Sequence, residues 1–343
     1  VFLRPLGLRL PLKIEHLWQG MYRRTFYRGG PILCSAISGI EMALWDIKGK
    51  YYNMPVFEML GGAYRDKVRM YGHLKPTGHP GDFPIPDMLK ITDKRLADGF
   101  TVMKYSIIPP IRPIDNMEMV DKVVERFAAV RERVGKKVDI AIDFHGRVSP
   151  AMSIRLLKAL EPYYPLFVEE PVLPENVDEM VRVSRSTTIP IAAGERLFTK
   201  FGFRELIEKQ AVSVVQPDLC HCGGIFEARK IAAMAETYYM QIAPHNPLGP
   251  ISLAACMQLD ACVPNLLAQE HPGMPDHADL GVGILKTPFK IEDGYIRIPE
   301  GPGLGIEVDE SKLDALRFDG TWDTPKRPLK SEGQAVLGRQ DSL

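Results

Sequence analysis

The sequence predicts an α/β protein, a parallel (β/α)7β barrel of the TIM type with a smaller, partial domain attached to it. From Val68 onward, eight short apolar runs alternate with seven amphipathic stretches. The 343 residues suffice for such a barrel, which takes about 250, and for a second domain. Asp143, Glu169 and Glu195 also end three successive runs at a constant interval of 26 residues, which fits one strand, one loop and one helix.

The first segment of the chain is predicted to be helical. Between residues 13 and 60, apolar residues such as Ile37, Ile40 and Leu44 recur with the helical period. A Gly-Gly pair at 61–62 ends this segment. We therefore expect residues 1–66 to form a helical domain that precedes the barrel.

The barrel is predicted to occupy residues 67–284. Its strands are expected at VRMYGHL, FTVMKYS, VDIAIDF, PLFVEE, IPIAAGE, AVSVVQPD, MQIAPH and NLLAQE. Its helices are expected near 87–99, 116–134, 150–161, 175–187, 200–210, 223–238 and 249–260. The remaining segment, 285–343, has the residue pattern of hairpins and turns, so it is expected to leave the barrel and pack on the N-terminal helices. Its tail, from about residue 325, is polar and is expected to be loosely ordered.

Composition excludes several classes of partner. The net charge is zero and no Lys/Arg-rich run is visible, which argues against nucleic acid and anionic membranes. No apolar stretch reaches the roughly 18 residues of a membrane span, and the first residues do not read as a secretory signal. The five cysteines are odd in number and few, as is typical of reduced thiols in the cytoplasm. A small-molecule substrate is the expected partner.

The three regularly spaced carboxylates predict a metal site. In a β/α barrel, the C-terminal ends of the strands meet at one mouth, so Asp143, Glu169 and Glu195 should converge there. Three neighbouring negative charges repel one another unless a cation lies among them. Hard oxygen ligands suit Mg²⁺ or Mn²⁺. The sequence therefore predicts one divalent cation in the barrel mouth.

Further polar residues end other runs of the same barrel. His145 follows Asp143 by two positions, so both side chains should point to one side of an extended backbone. Asp218 precedes His245 by one β/α unit, so it can accept the imidazole N–H and leave the other nitrogen as a base. Glu270 ends the last run. A divalent cation beside a histidine base suggests removal of a proton next to a carboxylate, with His145 as an acid for a departing hydroxyl and a protonated Glu270 donating to the intermediate.

The motifs at these positions resemble a known family. The chain is similar to the acid-sugar dehydratases of the enolase superfamily, within the mandelate racemase subgroup and nearest to its galactonate dehydratases. The likeness runs from about residue 18 to 318. It rests on DFHGR (143–147), EEPV (169–172), AAGER (192–196), QPDLCHCGG (216–224), APHNPLGP (243–250), AQE (268–270) and PGLGIEVDE (302–310).

The resemblance implies a reaction and a role for each site residue. It implies a Mg²⁺-dependent loss of water from an aldonate such as galactonate, giving a 2-keto-3-deoxy-aldonate. It implies that Asp143, Glu169 and Glu195 hold the metal. His245, backed by Asp218, would remove the C2 proton, His145 would assist loss of the C3 hydroxyl, and Glu270 would steady the enediolate. It also implies a homo-oligomer.

Two departures from the family leave alternatives open. Racemases of the subgroup carry Lys-x-Lys at the end of the second barrel strand. Here Lys104 matches the first lysine, but Ser106 stands in place of the second, which disfavours a two-base racemase. The usual N-terminal three-stranded sheet also looks missing, so the capping domain is expected to be partial. An acid-sugar epimerase or cycloisomerase, or a truncated non-catalytic homologue, therefore stands beside the dehydratase. Apolar residues of the N-terminal helices, such as Trp18, Met21 and Phe26, are expected to pack on that sheet or on a neighbouring subunit.

Several weaker signals remain. Lys104 can contact a substrate carboxylate or serve as a structural cation among the acids. Arg196 can hold sugar hydroxyls or pair with acids, and His73, at the end of the first barrel strand, can face the substrate. Cys220, His221 and Cys222 are too close along a turn to converge on one zinc ion. The roles of His271 and His277 stay unassigned.

Overall fold

A computed structural model describes residues 11–74, 84–105, 108, 111–273 and 275–313. The opening segment, Ser106 and the predicted loose tail lie outside the described residues. None of the helices in the described ranges is both long enough and apolar enough to cross a bilayer.

Eight parallel strands form the barrel, and each lies where the sequence predicted a strand. Their ranges are β1 Lys67–His73, β2 Val102–Tyr105, β3 Asp139–Asp143, β4 Val168–Glu169, β5 Ile191–Ala193, β6 Val214–Val215, β7 Gln241–Ile242 and β8 Gln269–His271. Their spatial order is β7-β6-β5-β4-β3-β2-β1-β8. A parallel bridge between Ile242 and Leu266 joins β7 to the segment leading into β8 and closes the barrel. The predicted α/β barrel is confirmed.

The helices also follow the predicted pattern. Before the barrel lie α1 Ile14–Arg24, α2 Pro31–Tyr52 and α3 Val56–Met59. Between the strands lie α4 Ile85–Ala97, α5 Met117–Val134, α6 Pro150–Leu160, α7 Val177–Ser184, α8 Thr199–Glu208, α9 Ile225–Glu236 and α10 Pro250–Cys262. Side-chain oxygens of Asn116, Ser149 and Asn176 cap α5, α6 and α7, which explains where these helices begin.

One inward-facing layer closes the barrel below its mouth. Each strand or its adjoining segment contributes one buried side chain to this layer: Tyr71, Val102, Ala141, Phe167, Ala192, Val214, Ala243 and Ala268. Successive inward positions on a strand are two residues apart. Two residues beyond this layer come His73, Lys104, Asp143, Glu169, Gln216, His245 and Glu270. Because side chains alternate in direction along each strand, a ring of polar side chains lies directly above an apolar floor.

The N-terminal helices dock on the loop between β6 and α9. Trp18 Nε1 donates to the carbonyl of Gly223 at 2.8 Å, and Ser38 Oγ accepts from the Gly223 N–H at 2.9 Å. Trp18 and Met21 are buried within the chain itself. The expectation that they need a missing sheet or another subunit is therefore wrong for these two residues, whereas Phe26 is 91% exposed.

Glu41 of α2 supplies the cap that α9 lacks in its own sequence. The residue before α9 is Gly224, which has no side chain to cap the helix. The fully buried Glu41 carboxylate accepts from the N–H of Ile225 at 2.8 Å and of Phe226 at 2.9 Å. It also accepts from Trp45 Nε1 at 2.7 Å. Donors from α2 and α9 thereby meet on one side chain, so this contact ties α2 to the barrel.

The C-terminal segment contacts the first barrel strand and the first helices. Strand β9, Tyr295–Arg297, pairs antiparallel with the start of β1. Further along, the Gly303 carbonyl accepts from the Val56 N–H at 3.0 Å, and the Gly303 N–H donates to the Met54 carbonyl at 3.0 Å. A side chain at Gly303 would clash with Asp46, and its φ of +73° also favours glycine. A short helix, α11 Glu310–Leu313, ends the described chain.

Replacing Glu41 by alanine is expected to weaken the docking of α2 on the barrel. The change leaves the N–H groups of Ile225, Phe226 and Trp45 buried without their acceptor, at on the order of 1 kcal/mol each. We expect the free energy of unfolding to fall by about 3 kcal/mol in a denaturant titration. Glu125→Ala, at an exposed position of α5, is the matched control and should change stability little. Equal stability of the two variants would contradict this assignment.

Candidate metal centre and active site

Three carboxylates converge at the mouth of the barrel. Asp143 ends β3, Glu169 ends β4, and Glu195 lies two residues beyond β5. One oxygen from each lies within 4.8 Å of the others. Asp143 and Glu169 are buried, and Glu195 is half-buried. The structure therefore brings together the three acids that the sequence singled out.

Glu169 lies at the centre of the charged network. Lys104 Nζ donates to both of its oxygens, at 2.7 and 2.9 Å, and Gln216 Nε2 donates to Oε2 at 2.8 Å. Burial raises the pKa of Glu169 to about 8. The Lys104 charge opposes this shift, whereas the charges of Asp143, Glu270 and Glu195 reinforce it. Burial together with the neighbouring acids therefore outweighs the single lysine beside this carboxylate.

This cluster has the chemistry of a site for a hard divalent cation. Its candidate donors are all carboxylate oxygens, the ligand type of Mg²⁺ and Mn²⁺. A divalent cation among them would relieve the mutual repulsion that adds to the effect of burial on the pKa of Glu169. Within the described ranges, no other group of three or more acidic, histidine or cysteine side chains has comparable geometry. The residues therefore fit a cation of this kind.

His145 lies against the first of the three acids. Its Nε2 is 2.6 Å from Asp143 Oδ2, and its backbone N–H donates to Asp143 Oδ1 at 2.8 Å. A φ of +50° lets the chain turn back sharply enough to make both contacts. Burial lowers the pKa of His145, but the charge and hydrogen bond of Asp143 outweigh burial, so its pKa is raised. Because Asp143 is also a candidate cation ligand, a cation among the carboxylates would oppose this rise.

His245 faces the cluster from the segment after β7, a strand four places away from β3 in the barrel. Its Nδ1 is 2.8 Å from Asp218 Oδ2, and its Nε2 is 3.3 Å from Glu195 Oε2. The predicted histidine–aspartate pair is therefore present, with Nε2 directed toward the acids. Burial lowers the pKa of His245, but the charges of Glu270 and Glu195 and the hydrogen bond with Asp218 raise it to about 10. A cation among the carboxylates would oppose that rise and favour the basic form.

Glu270 is fully buried, and its surroundings differ from the expectation. Its Oε1 lies 2.7 Å from Lys104 Nζ and contacts His73 Nε2, and its Oε2 accepts from the Asn246 N–H at 2.6 Å. Burial raises the pKa of Glu270, but the positive charges of Lys104, His245 and His73 outweigh it and hold the pKa well below its usual range. The expectation of a protonated Glu270 is therefore wrong, because the donors around it favour the carboxylate.

Arg196 pairs with acids at the barrel mouth. Its Nη2 donates to the carbonyl of His145 at 3.1 Å, and its Nε lies 3.3 Å from Glu170 Oε2 and 3.5 Å from Glu195 Oε1. Arg196 thereby links the loops that follow β3, β4 and β5. Of the two alternatives for this residue, the geometry shows the pairing with acids.

The remaining signals are structural in the described chain. Cys222 is buried, Cys220 donates its N–H to Asp218 Oδ1 at 2.7 Å, and His221 Nδ1 lies 2.8 Å from Ser35 Oγ. The turn that carries these residues supports Asp218 and receives the N-terminal helices. His271 is buried with its Nδ1 2.8 Å from Asp279 Oδ2, and His277 is exposed.

Sequence reasoning missed two buried residues of the site. Gln216 precedes Asp218 by two residues, so the period of a strand already placed both on one face, yet only its contact with Glu169 reveals a role. Glu170 follows Glu169 directly and is fully buried, with a φ of +43° that turns it toward Arg196. Nothing in the run PLFVEE indicates that turn.

Two family models match the chain. Residues 87–312 match the family described as enolase C-terminal domain-like. Residues 8–61 match the N-terminal domain of the mandelate racemase and muconate lactonizing enzymes.

Individual relatives match along most of the chain. A D-galactonate dehydratase from Ralstonia pickettii is 48% identical over 321 residues, which are 92% of this chain and 82% of that protein. A D-galactonate dehydratase from Variovorax paradoxus is 45% identical over 321 residues, which again cover 92% of this chain and 82% of that protein. The crystal structure of a mandelate racemase/muconate lactonizing enzyme from Sulfitobacter has a TM-score of 0.84 at 37% identity, covering 92% of this chain and 81% of that one.

Neutralising one of the clustered acids is expected to weaken divalent cation binding. We expect Glu195→Gln to lower Mn²⁺ affinity by more than about 100-fold, because loss of an outer-shell partner alone typically costs ~10–100-fold. The free Mn²⁺ signal in electron paramagnetic resonance measures this affinity without substrate. Glu175→Gln, at an exposed acid in the loop after β4, is the control. Unchanged Mn²⁺ affinity in Glu195→Gln would count against a metal centre here.

Proposed function

Because this chain belongs to the enolase superfamily, we propose that it is a dehydratase of aldonates such as D-galactonate, forming a 2-keto-3-deoxy-aldonate. The observation that carries the proposal is the position of the two imidazoles. His145 follows β3 and contacts Asp143, whereas His245 follows β7, four strands away in the barrel, and contacts Glu195 of the same carboxylate cluster. A base and an acid so placed suit removal of a proton and a hydroxyl from adjacent carbons. The D-galactonate dehydratases among the relatives support the same substrate class.

Asp143, Glu169 and Glu195 would hold the metal. We propose Mg²⁺, with Mn²⁺ as an alternative, because the candidate ligands are oxygen atoms only. When bound, the cation would polarise the substrate carboxylate and offset the charge that develops on it. The buried positions of Asp143 and Glu169 keep water away from that charge.

His245 would act as the base for the C2 proton. Asp218 holds its Nδ1 at 2.8 Å, so the free lone pair resides on Nε2, which faces the cluster. Removing the proton leaves the C2–H electron pair in an enediolate. The same Asp218 then stabilises the imidazolium that results.

His145 would act as the acid for the C3 hydroxyl. The C1–C2 enediolate expels this group as its electrons form the C2–C3 double bond, and the proton from His145 completes the departing water molecule. The resulting enol takes up a proton at C3 and becomes the 2-keto acid. The contact of its Nε2 with Asp143 places the imidazole beside the carboxylate cluster, within reach of a substrate held there.

Lys104 and Glu270 would organise the site rather than transfer a proton. Lys104 lies between Glu169 and Glu270, so its charge offsets part of the negative charge on both sides. Glu270 accepts from the Asn246 N–H, next to the proposed base. Because Glu270 is favoured as a carboxylate, its contribution would be to place its neighbours and not to donate to the intermediate.

We also propose the domain division and setting expected from the sequence. A division into a capping segment (1–66), the barrel (67–284) and a returning segment (285–343) is supported by the contacts of Gly303 with Met54 and Val56. The exposed apolar side chains Phe26 and Ile32 are consistent with a homo-oligomer. The low, odd cysteine content supports a cytoplasmic setting.

Incubation with Mg²⁺ and a panel of aldonates and aldarates is expected to yield a 2-keto-3-deoxy acid. His245→Asn should abolish the reaction and, in D₂O, the uptake of deuterium at C2, since no base remains. We expect a loss of at least ~10³-fold in kcat. His16→Asn, at an exposed histidine of α1, is the control and should keep turnover. Full activity of His245→Asn would refute the assigned base.

The same panel separates the alternatives. Deuterium at C2 of recovered substrate without any keto product would favour an epimerase. A folded, metal-binding protein that acts on no acid sugar would favour a non-catalytic homologue.

Replacing His145 by asparagine is expected to separate the two halves of the reaction. His245 should still remove the C2 proton, so exchange of C2–H for deuterium should continue, while dehydration should fall by about 10²–10⁴-fold. Proton NMR of the substrate in D₂O follows both events in one sample. An equal loss of exchange and dehydration would show that His145 does more than assist the leaving group.

A further inference from the structure

The strand that begins the barrel contributes a histidine to the site. His73 is the last residue of β1, and its side chain is only 7% exposed. Its Nε2 contacts Oε1 of Glu270 on the neighbouring strand β8, and its ring stacks on Tyr71 of the barrel floor. A side chain this enclosed presents little surface to a substrate. Its contacts point instead to a role through Glu270.

Each of the two carboxylates that share Lys104 has a second partner. Lys104 Nζ lies 2.7 Å from both Glu169 Oε1 and Glu270 Oε1, so one ammonium serves two buried acids. Gln216 Nε2 supplies the second contact for Glu169. His73 Nε2 supplies the second contact for Glu270. Loss of the His73 contact would leave Glu270 to draw Lys104 away from Glu169, since a buried carboxylate with fewer donors is costly.

The other oxygen of Glu270 connects this network to the proposed base. Oε2 accepts from the N–H of Asn246 at 2.6 Å, and Asn246 directly follows His245. Glu270 is fully buried, so its carboxylate has little room to turn except as its partners allow. The orientation of Glu270 therefore bears on the backbone that carries the base.

We propose that His73 is a positioning residue that acts through Glu270 on Lys104 and His245. Its Nε2–H donates to Oε1 of Glu270 and holds that carboxylate with one oxygen toward Lys104 and the other toward the Asn246 N–H. The consequence for turnover rests on the proposed dehydratase function. The contact between His73 and Glu270, and its effect on the loop that carries His245, do not depend on that function.

Histidine NMR tests the contact without any substrate. In protein labelled with ¹⁵N-histidine, Glu270→Gln should shift the His73 Nε2 resonance. His73→Phe should shift the His245 ring resonances, and His73→Gln, whose amide can donate in place of Nε2–H, should leave them near their wild-type positions. His271→Gln is the matched control, at a buried histidine of β8 that contacts Asp279. This variant should leave the His245 resonances in place. Unchanged His245 resonances in His73→Phe would overturn the proposal.

Turnover provides the second measurement. We expect kcat of His73→Phe to fall by roughly 100-fold, as for a displaced catalytic group, with KM changed less than about threefold. His73→Gln should recover most of kcat. A loss confined to KM would instead make His73 a substrate contact and refute the positioning role. If the wild-type chain turns over no aldonate, the proposed function fails, and the NMR comparison still decides the role of His73.

Discussion

The site depends on one buried ammonium group that compensates carboxylates from different strands. Lys104 on β2 contacts Glu169 on β4 and Glu270 on β8, and its Nζ lies 3.9 Å from Asp143 on β3. Removing water from so many acids is strongly unfavourable unless cations and donors replace it. Lys104, Gln216 and the backbone N–H of Asn246 supply part of that compensation. A divalent cation held by oxygens of Asp143, Glu169 and Glu195 would supply the remaining positive charge. The need for charge balance thus accounts for the hydrogen-bond network and favours a cation in this cluster.

A second constraint joins the helical segment to the chemistry. The loop after β6 carries Asp218, which holds the proposed base, and the same loop receives Trp18 and Ser38 from the N-terminal helices. Glu41 caps the helix that follows this loop. The partner of the base is thus fixed by the same contacts that dock the first helices. Damage to that docking would reach the active site through Asp218 without touching a catalytic group.

The local pattern of the chain predicted most of the fold because barrel strands and helices repeat regularly. Every predicted strand and barrel helix is present, and asparagine or serine caps mark where several helices begin. Local sequence does not reveal the carboxylate form of Glu270, because that form depends on Lys104 and His73, which lie far away in sequence. It does not reveal the burial of Trp18 either, since the partner of Trp18, Gly223, is 205 residues away.

The sequence by itself determined which side chains face the barrel mouth. The period of two along each strand sets the direction of a side chain relative to its own backbone, and the interval between Asp143, Glu169 and Glu195 sets their common level. Only the tertiary structure decided which of these side chains meet. His73 and Glu270 are 197 residues apart and touch because β1 and β8 become neighbours when the barrel closes. Such contacts form only when the barrel closes and brings distant strands together. No local stretch of sequence contains that information.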